Sequence, residues 1–267
     1  MASVNSLRCI CAVALLAAAF SVSAEEIVTI SARKGETQSY LLMHNAPPPK
    51  VVAVMFPGGE GLLRLHNQGG SVKFSQGRNF LVRTRGMFRD AEVAVAIVDS
   101  PSDRQRAGMD DGFRTGRAHV EDIAAVVKDL RARFPAAKIF LIGTSRGTLS
   151  AAYVGRSLGA GVDGVILTSS VVYGGRGGIG LSGFDFGAIK APLLFVHHVH
   201  DACRSCPYRD AESLSRAFPL ISVSGGKPAE SDPCEPLAAH GYFGKEQETV
   251  TAIKGWMLGR PFPKTVD

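Results

Sequence analysis

The sequence predicts an α/β protein, a three-layer αβα sandwich around a mostly parallel central sheet. Three observations carry this. Several runs are apolar on both faces and end abruptly at Pro, Gly or Asp, as strands buried in a parallel sheet do. They alternate with amphipathic segments long enough to be helical crossovers between parallel strands. The 267 residues show no fixed-period repeat and no linker, so residues 25–267 read as one domain.

In chain order, residues 27–30 and 39–44 read as a short opening hairpin, and the Pro47-Pro48-Pro49 run excludes helix after it. Val51-Val52-Ala53-Val54-Met55-Phe56 is a buried-strand run closed by Pro57-Gly58-Gly59. Val93-Ala94-Val95-Ala96-Ile97-Val98 is a second, closed by Asp99-Ser100-Pro101. The Arg-rich stretches 78–89 and 104–117 read as solvated loops. Val120, Ile123, Ala124, Val127, Leu130 and Phe134 then recur at helical spacing, with Pro135 as the stop. Strands are expected at 138–142, 162–168, 191–197 and 220–223, with helices at 146–158, 208–218 and 245–258. The Gly-rich stretch 174–187 reads as a loop over the site.

Composition narrows the function classes. At 45% hydrophobic and 20% charged residues the chain is neither disordered nor a membrane bundle. Its net charge of +6 is mild and its arginines are dispersed, so no nucleic-acid partner is expected. Residues 1–24 have the form of a secretory signal: Arg8, an apolar run over 10–20, then Val22-Ser23-Ala24 as small residues at a cleavage site. The run is too short to span a bilayer, and Cys9 and Cys11 precede it rather than follow it. A secreted or periplasmic protein is expected. Its mature chain keeps Cys203, Cys206 and Cys234, an odd set that predicts one disulfide and one leftover thiol.

The chemistry-bearing motif is Gly143-Thr144-Ser145-Arg146-Gly147, a G-x-S-x-G pentapeptide between a predicted strand and a predicted helix. A serine on so tight a turn is pushed out above the sheet. The flanking glycines let the strand and helix backbones pass close, and the helix N-terminus aims free N–H groups beside the hydroxyl. A serine hydroxyl needs a base, and the base needs an orienting carboxylate.

In this motif and its setting the chain resembles the α/β-hydrolase family, over nearly all of the mature sequence. The resemblance implies the order Ser, then an acid after a later strand, then His after the last strand. Ser145, Asp201 and His240 match that order and those positions. It also implies an oxyanion hole formed by the amide of Arg146 and one from the loop at 56–61, with Gly59 or Glu60 as the donor. Asp99 precedes the serine, Asp185 sits in the Gly-rich stretch and Asp232 has no strand before it, so each is a weaker acid. Given the triad, a bridge from Cys203 or Cys206 to Cys234 would join the acid loop to the histidine loop; both pairings stay open. No cofactor is implied.

The expected activity is ester cleavage by a serine hydrolase through an acyl-enzyme. The region 171–190, where a cap would enter, is short and Gly-rich, which favours an open site for a small or extended ester. A peptidase or amidase on the same fold uses the same residues. A secreted binding protein retaining the fold without turnover is another reading. A metal or redox protein built on His197, His198, His200, Cys203 and Cys206 is a further one. His44, His66 and His119 read as surface or turn residues, with His66 near enough to the glycine loop to line a pocket.

Overall fold

The computed structural model describes residues 24–174 and 178–267; apart from Ala24 the expected signal segment lies outside them. The elements are β1 (Ala24–Arg33), β2 (Glu36–His44), β3 (Val51–Phe56), β4 (His66–Gln68), β5 (Ser71–Lys73), α1 (Phe80–Phe88), β6 (Val93–Val98), α2 (Asp111–Thr115), α3 (Arg117–Arg133), β7 (Lys138–Thr144), α4 (Gly147–Leu158), β8 (Gly164–Thr168), β9 (Leu193–His198), α5 (Tyr208–Leu214), β10 (Leu220–Val223), α6 (Glu246–Met257) and β11 (Thr265–Val266). Nine strands form one sheet in the order β1-β2-β6-β3-β7-β8-β9-β10-β11. β1, β2 and β6 are joined by antiparallel pairings; every other pairing in the sheet is parallel. β4 and β5 make a separate small hairpin.

Alternate strand residues point to opposite faces, which divides the core in two. Val52, Val54 and Phe56 face Ile123, Val126 and Leu130 of α3 and Leu149 and Ala152 of α4. Ala53 and Met55 face Leu81 and Phe88 of α1 and Val250, Ile253 and Met257 of α6. The expected three layers are therefore present. No described helix is long and apolar enough to cross a membrane.

Two stretches read as solvated loops are not loops. Residues 80–88 form α1, capped by the Asn79 side chain accepting from the Leu81 amide. Its arginines interrupt the apolar period, yet Phe80, Leu81, Val82 and Phe88 are buried beneath them. Within 104–117 lies α2, whose Arg114 is completely buried. Of the Gly-rich stretch, Gly178 lines the cleft, while Leu181, Phe184 and Phe186 pack into the core. β11 adds a short parallel edge beside β10 that no sequence pattern marked.

The strand order places the site. β3 has β6 on one side and β7 on the other. The crossover through α1 leads one way, and the return through α3 leads the other. At such a reversal the loops beyond the strand ends diverge and leave a crevice.

Candidate active site

Ser145 sits at the β7–α4 corner with φ +52°, a left-handed conformation that costs a non-glycine residue energy and is kept only where the surroundings enforce it. The flanking glycines enforce it. A Cβ on Gly147 would lie 2.0 Å from the Phe56 carbonyl oxygen, and one on Gly143 would lie 2.3 Å from the Gly147 carbonyl oxygen. Backbone stands where either side chain would go, so β3, β7 and α4 meet this closely only with glycine at both positions.

Asp201 follows β9 and has no side-chain exposure. One of its oxygens accepts from the Cys203 amide at 2.9 Å; the other accepts from His240 Nδ1–H, also at 2.9 Å. That bond leaves Nε2 as the free lone pair, and Nε2 is buried without a partner among the described residues. His240 itself rides on a short 3-10 turn, Ala239–Gly241. The Ser169 hydroxyl donates to the His240 carbonyl at 2.7 Å. It also lies 3.0 Å from the hydroxyl of Tyr242, which donates to the Val196 carbonyl at 2.7 Å. Burial raises the Tyr242 phenol far above its ordinary range, so this clamp stays protonated. Neither Ser169 nor Tyr242 stood out in the sequence; Ser169 reaches His240 from a strand end 71 residues away, and Tyr242 acts from a turn that only the fold defines.

Ser145 and His240 line one open cleft of about 1720 Å³ without being hydrogen bonded to each other. Gly58, Gly59 and Arg146 line it too. Gly58, not singled out from the sequence, is the loop residue packed on Ser145: a Cβ there would lie 3.0 Å from Ser145 Cβ. Glu60 does not line the cleft; it is exposed, and its carbonyl accepts from Met109 N at 2.8 Å. Among the described residues the amides of Gly58, Gly59, Glu60 and Arg146 have no acceptor. The Arg146 guanidinium is held by Asp111 at 2.8 Å.

Cys203 and Cys234 form the disulfide, tying the Asp201 loop to the chain leading into His240. Among the described residues Cys206 is the free cysteine; it is buried, and burial raises its thiol well above the ordinary value. Cys203, Cys206 and His240 offer ligand atoms within 4.8 Å of one another. With the Cys203 sulfur in the disulfide and one His240 nitrogen on Asp201, that set does not suit a metal ion. His197 and His198 are occupied by main chain: His197 Nε2 accepts from Ser170 N at 2.6 Å, and His198 Nε2 faces the Gly225 carbonyl at 3.0 Å. Burial lowers His197 to about 4, so it is neutral. His119, read as a surface or turn residue, is instead fully buried between Phe56 and Phe113. His66 is exposed on β4, outside the cleft lining. Asp99 spends its carboxylate on the amides of Leu63, Leu65 and Ser100.

No family model and no curated protein matches the chain. Solved structures do. Est1E from Butyrivibrio proteoclasticus, also described with ferulic acid bound, superposes with a TM-score of 0.58 at 16% identity over 87% of this chain and 98% of its own. XC6422 from Xanthomonas campestris, described as an α/β serine hydrolase without a lid, gives 0.56 at 18% identity over 87% and 95%. Pyrococcus horikoshii acylaminoacyl peptidase gives 0.55 at 13% identity over 90% of this chain and 42% of its own. At these identities the likeness is one of fold: the chain has the α/β-hydrolase fold.

Proposed function

We propose that this α/β-hydrolase-fold protein is a secreted or periplasmic serine hydrolase that cleaves ester-type acyl bonds. The observation that carries the proposal is the Asp201–His240 bond of 2.9 Å, made through Nδ1 and leaving a buried, unpartnered Nε2 in the cleft that holds the strained Ser145. Ser145 attacks the acyl carbonyl while His240 takes its proton. His240 then returns a proton to the leaving alcohol, and water resolves the acyl-enzyme. Asp201 fixes the tautomer and stabilises the imidazolium. The Arg146 amide and the loop amides around Gly58 and Gly59 take up the oxyanion. A Ser–His contact that closes only with substrate in place is common for such pairs.

The cleft's lining favours a polar substrate. Phe80 is its only aromatic residue among those described. Among the described lining residues, carboxylates (Asp110, Asp111, Glu230, Asp232, Glu235) outnumber guanidinium groups (Arg78, Arg146). Short polar or cationic esters suit this wall better than long acyl chains or anionic esters. The Cys203–Cys234 disulfide supports an oxidising compartment.

The test is labelling with a fluorophosphonate probe, followed by an ester panel varied in acyl length and charge and set against amide counterparts. Ser145→Ala should abolish labelling and lower turnover by at least about 10⁴-fold while melting like the parent protein. Retained activity in Ser145→Ala refutes the assignment; faster cleavage of the amides moves the protein to the peptidase reading.

A further inference from the structure

Beneath the loop at 57–61 lies a charge that the proposed reaction does not use. Arg114 is 0% exposed. Its Nη2 donates to the carbonyls of Pro57 and Gly59, both at 3.2 Å, its Nη1 to Ser150 Oγ at 2.8 Å and its Nε to the Met109 carbonyl at 3.3 Å. Every partner is neutral. Burial and the nearby Arg146 lower it to about 9, which still leaves it charged at neutral pH. A guanidinium buried without a carboxylate on it is costly, so its place in the fold calls for an explanation.

The peptide planes supply one. In a trans peptide the N–H points opposite to the C=O. With the Pro57 carbonyl on Arg114, the Gly58 N–H points away from it; with the Gly59 carbonyl on Arg114, so does the Glu60 N–H. The plane between these two is fixed by the Gly58 carbonyl, which accepts from Gly61 N at 3.2 Å. All three planes of the turn are thus held through their carbonyls, while their three N–H groups are left without an acceptor among the described residues. Gly61 makes room for the guanidinium, since a Cβ there would lie 2.7 Å from Nη2. Through Ser150, on α4 one turn beyond the Ser145 corner, the same group ties the loop to the helix that carries the nucleophile. A cation on the carbonyl side also polarises these amides toward stronger donation.

We propose that Arg114 is the positioning residue of the oxyanion loop, holding the Pro57 and Gly59 carbonyls from below so that the turn keeps its shape and the Gly58 amide stays aimed at the carbonyl attacked by Ser145. This rests on the serine-hydrolase reading above.

The experiment uses the full chain with p-nitrophenyl acetate as substrate, a trifluoromethyl ketone as oxyanion-forming inhibitor, and hydrogen–deuterium exchange resolved over 57–63 and 51–56. Arg114→Met should lower kcat by about 100-fold, the loss typical of one oxyanion donor, with KM within about threefold. The ketone should weaken by the same factor as kcat. Exchange should rise over 57–63 and not over 51–56. Arg114→Lys, which keeps the charge and one donor direction, should recover part of kcat. If Arg114→Met does not fold, Ser150→Ala decides, with an expected drop in kcat of about threefold to tenfold and the same exchange signature. A folded variant whose kcat and loop exchange match the wild type, or one whose loss falls on KM alone, overturns the proposal. Wild-type protein that neither turns over nor labels overturns the serine-hydrolase reading and this one with it. If wild type is active, only the positioning role is at stake.

Discussion

At Ser145 the backbone is strained because three elements converge on it, and the side chains that would relieve the crowding are missing on both sides. Gly147 is the tighter of the two flanking positions, with the Phe56 carbonyl where its Cβ would be. Neither partner is the end of a flexible side chain, so Gly147→Ala has to move β3 away from α4. Overpacking of this kind costs about 1–3 kcal/mol, and here the upper end is expected because only backbone can yield. The shift also displaces Gly58 from Ser145, so probe labelling should be lost more completely than stability. Gly77→Ala is the control: Gly77 lines the same cleft, but a Cβ there meets nothing within 4 Å and its φ is not positive. Chemical denaturation and labelling rates of the two variants check this. Equal effects would mean that the corner is not the strained point.

Among the elements, the disulfide does what neither loop does alone. The long segment between β10 and α6 carries His240 and has no strand or α-helix of its own. Cys203–Cys234, 31 positions apart, closes a loop between Asp201 and His240. Chain entropy alone assigns such a crosslink about 3–4 kcal/mol. Cys203→Ser/Cys234→Ser should lose stability of that order in urea, and its labelling rate should fall about tenfold as the Asp201–His240 geometry loosens. A double variant that labels at the parent rate would show that Ser169 and Tyr242 hold His240 unaided. How much was legible beforehand also sorts by element. β3 and β6 have the same limits as their apolar runs, because a strand buried on both faces leaves no ambiguity. α1 and α2 were missed because their arginines point into bonds the sequence does not advertise: Arg83 to Glu246 and the Gly241 carbonyl, Arg114 to the loop after β3. That Ser145 and His240 meet in one cleft with Asp201 bonded to His240 was legible through their order along the chain. Gly58, Arg114, Ser169 and Tyr242 were not, since each acts on a residue more than a strand away or through a turn that exists only once the sheet is assembled.

Over the whole molecule, two buried histidines, His119 on α3 and His197 on β9, set how stability responds to acid. Burial lowers His119 to about 3, with Arg114 and Arg33 adding to the effect, and lowers His197 to about 4 against the opposing pull of Asp201. Both are fully buried and neutral. In the unfolded chain each returns to about 6.5. The folded values lie below the unfolded ones, so below about pH 6.5 the unfolded state binds protons that the folded state refuses. Stability from these sites is therefore complete above about pH 6.5 and is lost as pH falls toward 4. Its slope approaches about 1.4 kcal/mol per pH unit for each histidine, or about 2.7 for both. Urea midpoints measured between pH 7.5 and 5 should fall accordingly. His197→Gln keeps an acceptor for the Ser170 amide but cannot titrate, and should remove about half of the slope without moving the neutral-pH midpoint by a comparable amount. Adding His119→Leu should remove most of the rest. An unchanged slope in the double variant would place the acid sensitivity elsewhere. It would also mean that these two rings take up protons without unfolding the site.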